Sequence, residues 1–226
     1  MFTRVAEAVA EISGHGRTLV AVDGASGTGK STFADELART LETAGRIVMR
    51  ASVDSFHRPR AERYRLGNDS PEGYYRDSHD LAGLRDKLLV PFAAGVGSVR
   101  LAIFDEPSDT PLEVVEEAVP AAAILLVDGL FLHRAELVEF WDLSVYLLAD
   151  GRRESSWQDY LTRDLPQDPH ARADEIDQRV TRARRRRYVG GQALYEREAG
   201  PLHQANLVID NDDLAHPELI ARPPSR

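Results

Sequence analysis

One eight-residue stretch constrains this chain more than any other: Gly24-Ala25-Ser26-Gly27-Thr28-Gly29-Lys30-Ser31 fits the pattern G-x-x-x-x-G-K-[ST]. Its surroundings decide what the pattern means. Upstream, Leu19 to Val22 is an apolar run held between Arg17 and Asp23-Gly24, the mark of a short strand buried on both faces. Downstream, over Lys30 to Ala44, Phe33, Leu37, Leu41 and Ala44 recur at helical spacing, and Gly45 supplies a stop. In that order, strand, glycine turn and helix make the turn a phosphate cradle. The glycines let backbone N–H groups curl around a polyphosphate, and the helix adds its positive dipole end. The Lys30 ammonium reaches the β and γ phosphates, and Ser31 can ligate Mg2+. The binding set is therefore Gly24, Ala25, Ser26, Gly27, Thr28, Gly29, Lys30, Ser31 and Thr32. The alternative is a chance glycine turn, a pattern that average composition produces in about one chain in a hundred before the strand and helix are demanded.

The rest of the chain continues the alternation. Arg46 to Ala51 predicts a second strand, and Leu81 to Ala94 a helix with Leu84, Leu88 and Phe92 on one stripe. Between them, Asp54 to Asp80 shows neither period and is too long for an ordinary connection, which marks it as functional. Ser98 to Phe104 reads as an edge strand or hairpin arm, and the acidic stretch from Glu106 as a turn and a return strand. The run ending in Asp128-Gly129 is a buried strand, as is Leu143 to Asp150. Arg152 to Arg163 and Glu175 to Tyr188 read as helices, and Asn206 to Ile209 as a last strand. The 226 residues suit one α/β domain with a small insertion. The expected fold is a three-layer sandwich of the P-loop NTPase type, a largely parallel sheet flanked by helices, with a small hairpin insertion and a helical lid. The domain covers residues 1–212 with the lid at about 163–187, and 213–226 is a polar tail expected to be partly without structure.

Composition excludes several classes. A net charge of −9 argues against wholesale binding of nucleic acid or an anionic membrane, so any basic site is local. The longest uncharged apolar run, Ala118 to Val127, is about half of a membrane span. The first residues carry Glu7 and Glu11 among apolar ones, as an amphipathic helix does and a secretory signal does not. With no cysteine there is neither a disulfide framework nor a thiolate metal site, which is compatible with a cytoplasmic location.

Asp128 ends a buried strand, where P-loop proteins place a carboxylate that orients Mg2+; an ordinary Asp-Gly turn is the other reading. The chain has no N-K-x-D, and its one D-x-x-G, Asp80 to Gly83, opens a helix, which argues against a switch GTPase.

At these residues the chain resembles the uridine kinase and phosphoribulokinase family of P-loop kinases, its uridine kinase branch above all, from about Leu19 to Asp210. Val53-Asp54-Ser55-Phe56-His57 is similar to the family's Asp-Ser-Phe-Tyr segment, and the resemblance implies that Asp54 is the catalytic base. Asp69-Ser70-Pro71-Glu72-Gly73-Tyr74, followed by Tyr75, is similar to Asp-His-Pro-Asp-Ala-Phe, which implies a ribose-holding Asp69. Leu161-Thr162-Arg163-Asp164 matches a lid segment, implying that Arg163 serves the transferred phosphate. The resemblance thus implies transfer of the γ-phosphoryl group of ATP, with Mg2+, to a small-molecule hydroxyl, most readily the 5′-OH of a nucleoside such as uridine. It places His57, Asp69, Tyr75 and Phe104 near that acceptor, with Asp109, Arg163 and Arg172.

The chemistry of the residues agrees. A hydroxyl attacking phosphorus needs a carboxylate to accept its proton, and Asp54 follows a strand on the sheet edge that carries the cradle. Its bland alternative is a helix cap. Arg163 and Arg172 flank a proline-containing segment able to close over phosphate. Arg182 and Arg184 to Arg187 form a dense basic run without interleaved aromatics, read as a solvated helix face with one or two arginines turned toward the nucleotide. The chain also departs from the family: His57 stands in place of Tyr, Tyr160 in place of a lid Arg, and Asp109 in place of a base-reading His. The acceptor therefore stays open between a nucleoside and another small alcohol, of the pantothenate or sugar phosphate type. A nucleotide-binding regulator without turnover is the third reading, against which the retained Asp54 argues.

Overall fold

The amphipathic start folds as α1 (Phe2–Ser13), with Val5, Ala6 and Val9 turned inward. It leads to β1 (Thr18–Gly24), every residue of which is buried, and then to α2 (Lys30–Thr43) and β2 (Ile47–Ser52). The structure is a computed structural model that describes residues 1–14, 16–95, 97–149 and 175–221. After a single 3-10 turn at Val53–Phe56 come α3 (Arg60–Arg63) and α4 (Pro71–Asp77). The next helix is composite: α5 (Leu81–Leu84), a π turn at Arg85–Leu89, and α6 (Val90–Ala94). Pro91 explains the wide turn, because it has no N–H for the Lys87 carbonyl four residues back. The Arg100 N–H takes that carbonyl instead, at 3.0 Å.

The hairpin insertion is four short strands. These are β3 (Ser98–Val99), β4 (Phe104–Asp105), β5 (Thr110–Pro111) and β6 (Glu117–Ala118), with β3 pairing β6 and β4 pairing β5, both antiparallel. The arm expected over 98–104 is interrupted because its backbone bonds elsewhere. Besides the Arg100 bond to Lys87, the Ile103 N–H donates to the Ser55 carbonyl at 2.9 Å. Then follow β7 (Ala123–Gly129), β8 (Leu143–Leu148), α7 (Glu175–Ala199), β9 (Leu207–Asp210) and β10 (Glu218–Ala221).

Six strands form one sheet in the order β10-β9-β8-β1-β7-β2, parallel throughout except for β10. Each parallel strand shows apolar residues to both faces, so helices cover both sides. From β1, Val20 and Val22 join Phe33, Leu37 and Leu41 of α2 and Val5 and Val9 of α1. Leu19 and Ala21 join Leu84, Leu88 and Phe92 on the opposite side. This is the expected three-layer sandwich.

Two segments differ from the sequence reading. α7 runs on to Ala199 rather than ending at Tyr188, straight through Gly190-Gly191. These glycines are an approach surface: a Cβ at Gly191 would lie 2.5 Å from Tyr74 Cδ1 and 3.0 Å from the Pro71 carbonyl. In the segment read as a polar tail, Glu218–Ala221 pairs with β9 as an antiparallel edge strand. Among the described residues no helix is long and apolar enough to cross a membrane.

Candidate active site

The carboxyl ends of β1, β7 and β2 lie side by side, since Val22 pairs Asp128 and Asp128 pairs Ser52 in register. The loop after β1, the carboxylate ending β7 and the residues after β2 therefore share one cleft. It has a volume of about 420 Å3 and is lined by Ser26, Gly27 and Gly29 to Thr32 of the loop, with Asp54, His57 and Asp128. Gly27 and Gly29, both in the cleft lining, have φ of 79° and 81°, left-handed values that a side chain would resist. Thr28 closes the turn from below, its hydroxyl donating to the Ala25 carbonyl at 2.9 Å. Asn211, just past β9, donates to the Thr28 carbonyl at 2.7 Å. The Lys30 ammonium donates to the Ala25 carbonyl at 2.8 Å. Burial lowers its pKa, while the charges of Asp54, Asp23 and Asp128 push the other way. Ser31 Oγ donates to Asp128 Oδ2 at 2.7 Å, setting two hard oxygen ligands together, a donor set that fits Mg2+. The other Asp128 oxygen is held by Arg50 at 3.0 Å.

Beneath the loop lies a buried polar knot. The Gly24 N–H donates to Asp23 Oδ1 at 2.7 Å. Asp23 Oδ2 accepts from His133 Nδ1 at 2.7 Å and from the Tyr195 hydroxyl of α7. The loop's entry is thereby tied to the long helix.

On the far wall, Asp54 is 67% exposed at its side chain, open to the cleft, with His79 Nε2 3.6 Å from its Oδ1. Burial of its protein-facing side pushes the carboxyl up, but His79, His57 and Lys30 outweigh that and hold it at about 2. His57 donates from Nδ1 to the Asp54 carbonyl at 2.7 Å, and its ring lies 4.5 Å from that of His79. Burial, with the neighbouring His79, lowers the His57 pKa to about 4. The imidazole is neutral at physiological pH. The pairing of the two histidines comes from the backbone, an antiparallel bridge between residues 57 and 79.

Two buried arginines close the cleft. Arg63 pairs with Glu106 at 2.5 Å and Asp109 at 3.2 Å. Arg187 is 2% exposed and donates to the Arg63 carbonyl at 2.8 Å, with its guanidinium 4.4 Å from the Tyr64 ring centroid. It is the arginine of the basic run that turns inward. Tyr74 lines the cleft and approaches Ser26 Oγ at 3.4 Å.

Four residues anticipated at the acceptor stand outside the cleft lining. Asp69 pairs with Arg186 at 2.9 Å, both side chains substantially exposed. Tyr75 is buried behind the wall, packed edge-on to Phe131 and under the Arg134 guanidinium. Phe104 is buried in the hairpin pairing. Asp109, at a φ of 55°, accepts from Arg63 and, at 2.7 Å, from the Arg60 backbone N–H. Arg163 and Arg172, with residues 163–174 of the expected lid and the helix expected over 152–163, lie outside the described residues. Conversely, His79, Arg63, Glu106 and Asp23 were not anticipated. Only the unpatterned length of 54–80 pointed toward the first two.

A model of the "Phosphoribulokinase / Uridine kinase family" matches residues 19–190. A uridine kinase of Leuconostoc citreum is 28% identical over 138 residues, covering 58% of this chain and 62% of that protein, so the match spans less than two thirds of the relative. Among solved structures, one described as a possible uridine kinase from Bacillus stearothermophilus superposes with a TM-score of 0.71 at 23% identity, over 92% of this chain and 96% of that one. The D-glycerate 3-kinase of Cryptococcus neoformans var. grubii superposes with a TM-score of 0.60 at 13% identity, over 97% and 99%. At such identities the two structures share the fold. With the family match extending from the first residues of β1 into α7, the chain belongs to the phosphoribulokinase / uridine kinase family of kinases.

Proposed function

We propose that this protein transfers the γ-phosphoryl group of ATP, with Mg2+, to a hydroxyl of a small molecule, and that the acceptor is a nucleoside presented by its 5′-OH. The observation that carries this reading is the meeting in one cleft of Lys30, the Ser31–Asp128 pair and the open carboxylate of Asp54. The loop would hold the triphosphate, Ser31 and Asp128 the Mg2+, which when bound neutralises charge on the phosphate oxygens. Asp54, ionised at every physiological pH, orients the acceptor hydroxyl and accepts its proton as the new bond forms. Lys30 releases the Ala25 carbonyl and takes up phosphate charge. The family match and the uridine kinase relative support the nucleoside.

One observation favours a second reading, a kinase of another small alcohol such as a sugar phosphate or pantothenate. Asp69 and Asp109 stand outside the cleft lining, their carboxylates engaged by Arg186 and Arg63, leaving neither ribose nor base an obvious partner there. The test is an assay of the purified protein with ATP and Mg2+ against uridine, cytidine, adenosine, pantothenate and sugar phosphates. Transfer to uridine or cytidine supports the first reading, transfer to a non-nucleoside alone supports the second, and turnover of none overturns both. Discrimination among nucleosides should be within about tenfold, because Asp109, at the place of the base-reading histidine, is engaged by Arg63 and does not line the cleft.

A further inference from the structure

Beside the loop's Ser31–Asp128 pair, the cleft holds a second cluster with different chemistry. Asp54, His57 and His79 each offer a ligand atom, and the three atoms lie within 4.8 Å of one another. A tetrahedral cation with bonds of about 2.0–2.1 Å spaces its ligands about 3.3 Å apart. The His79 Nε2 to Asp54 Oδ1 separation, 3.6 Å, is already close to that.

His79 itself points to a ligand. Its side chain is 3% exposed, and its Nε2 has no hydrogen-bond partner. A buried ring nitrogen left without a partner loses its hydration with no replacement, a loss that a cation would offset. The scaffold keeps the two rings in place without using those nitrogens. The Arg58 N–H donates to the Ser78 carbonyl at 3.0 Å and the Asp80 N–H to the Phe56 carbonyl at 2.7 Å, clamping the two histidine segments together. The Arg58 guanidinium holds the His79 carbonyl at 3.1 Å. On His57, Nδ1 donates to the Asp54 carbonyl, which leaves Nε2 as the lone-pair nitrogen. Asp54, open to the cleft, is the ligand free to swing.

We propose that Asp54, His57 and His79 form a binding site for a transition-metal cation of the Zn2+ class, separate from the Mg2+-type pair at Ser31 and Asp128. Two imidazoles and one carboxylate make a donor set that suits Zn2+, whereas Mg2+ demands octahedral oxygen. Resting on the reading of Asp54 as the proton acceptor, a consequence follows: the cation occupies the carboxylate that the transfer needs, and so switches the enzyme off.

The full-length protein, stripped with a chelator and returned to excess Mg2+, is titrated with Zn2+ by calorimetry and with Co2+ by visible absorption. One cation per chain is expected, with the Co2+ band of a nitrogen-containing, low-coordinate site. His79→Gln and His57→Gln should each weaken binding by about tenfold or more, while Asp128→Asn leaves it unchanged. His57 is only half-buried, so its variant serves if His79→Gln does not fold. No binding in excess Mg2+, or binding undiminished in the folded histidine variants, overturns the site. Zn2+ that binds to the parent and stops transfer supports both proposals. Zn2+ that binds while transfer continues supports the site and overturns the role given to Asp54.

Discussion

At the scale of single residues, the cleft separates charge that binds from charge that reacts. Lys30 belongs to none of the apolar core clusters, so Lys30→Ala should keep the fold, judged by an unchanged circular dichroism spectrum, and lose nearly all transfer. Asp54→Asn keeps the shape but cannot take a proton, and kcat should fall by about 10²-fold or more with ATP affinity little changed. A loss confined to ATP binding would make Asp54 a metal or structural residue. The same residues predict how stability depends on pH. Histidine titrates near 6.5 in an unfolded chain, whereas His57 titrates at about 4 in the fold. Between those values the unfolded chain holds the extra proton, so stability falls as pH falls from 6.5 to 4. Asp54, lowered from 3.8 to about 2, contributes stability that is complete above 3.8 and is lost as pH falls toward 2. His57→Gln should therefore flatten the upper part of the curve of Tm against pH. An unaltered slope between pH 4 and 6.5 would mean that the native ring is already charged.

At the scale of elements, the cleft depends on α7 lying close against α4. Gly191→Ala sets two terms against each other. A helix interior gains about 1 kcal/mol from alanine over glycine, but the new Cβ meets the Tyr74 ring and the Pro71 carbonyl, and overpacking costs about 1–3 kcal/mol. Because one of those neighbours is backbone, the clash should win. A net loss of about 1 kcal/mol lowers Tm by about 2–4 °C in a chain of this size, measurable by scanning calorimetry. A raised Tm would show that the helices stand further apart. The glycine pair also explains why the helix runs past Tyr188, where the sequence predicts its end. Gly-Gly reads as a stop when only local propensity counts, and here tertiary packing selects it. The 98–118 insertion went the same way, its strand pattern cut short by bonds to Lys87 and Ser55 that no periodicity announces.

At the scale of the whole molecule, the sheet has two edges, β2 and β10. β10 covers β9, whose Leu207, Val208 and Ile209 are buried. A chain ending at residue 212 should expose that edge and its unpaired backbone groups, lower Tm and associate as concentration rises. Sedimentation velocity checks this, and a truncated chain that stays monomeric with an unchanged Tm would reduce β10 to decoration. The net charge of −9 keeps the intact surface self-repelling.

The sequence by itself determined β1, the glycine loop, α2 and the buried strand ending at Asp128, because each rests on a local pattern: an apolar run, a turn only glycine makes, a helical stripe. It also brought Asp54 to the right sheet edge, since parallel strands send their carboxyl ends to one side. Only the tertiary structure decided what surrounds that carboxylate. His79 reaches Asp54 through a bridge between segments with no regular period. Asp109 is claimed by Arg63, and Asp69 by Arg186, because the fold sets those arginines 3.2 Å and 2.9 Å away. Residue identity shows which groups can pair, but the choice among several arginines and several carboxylates is made by distance and burial, which exist only once the chain has folded.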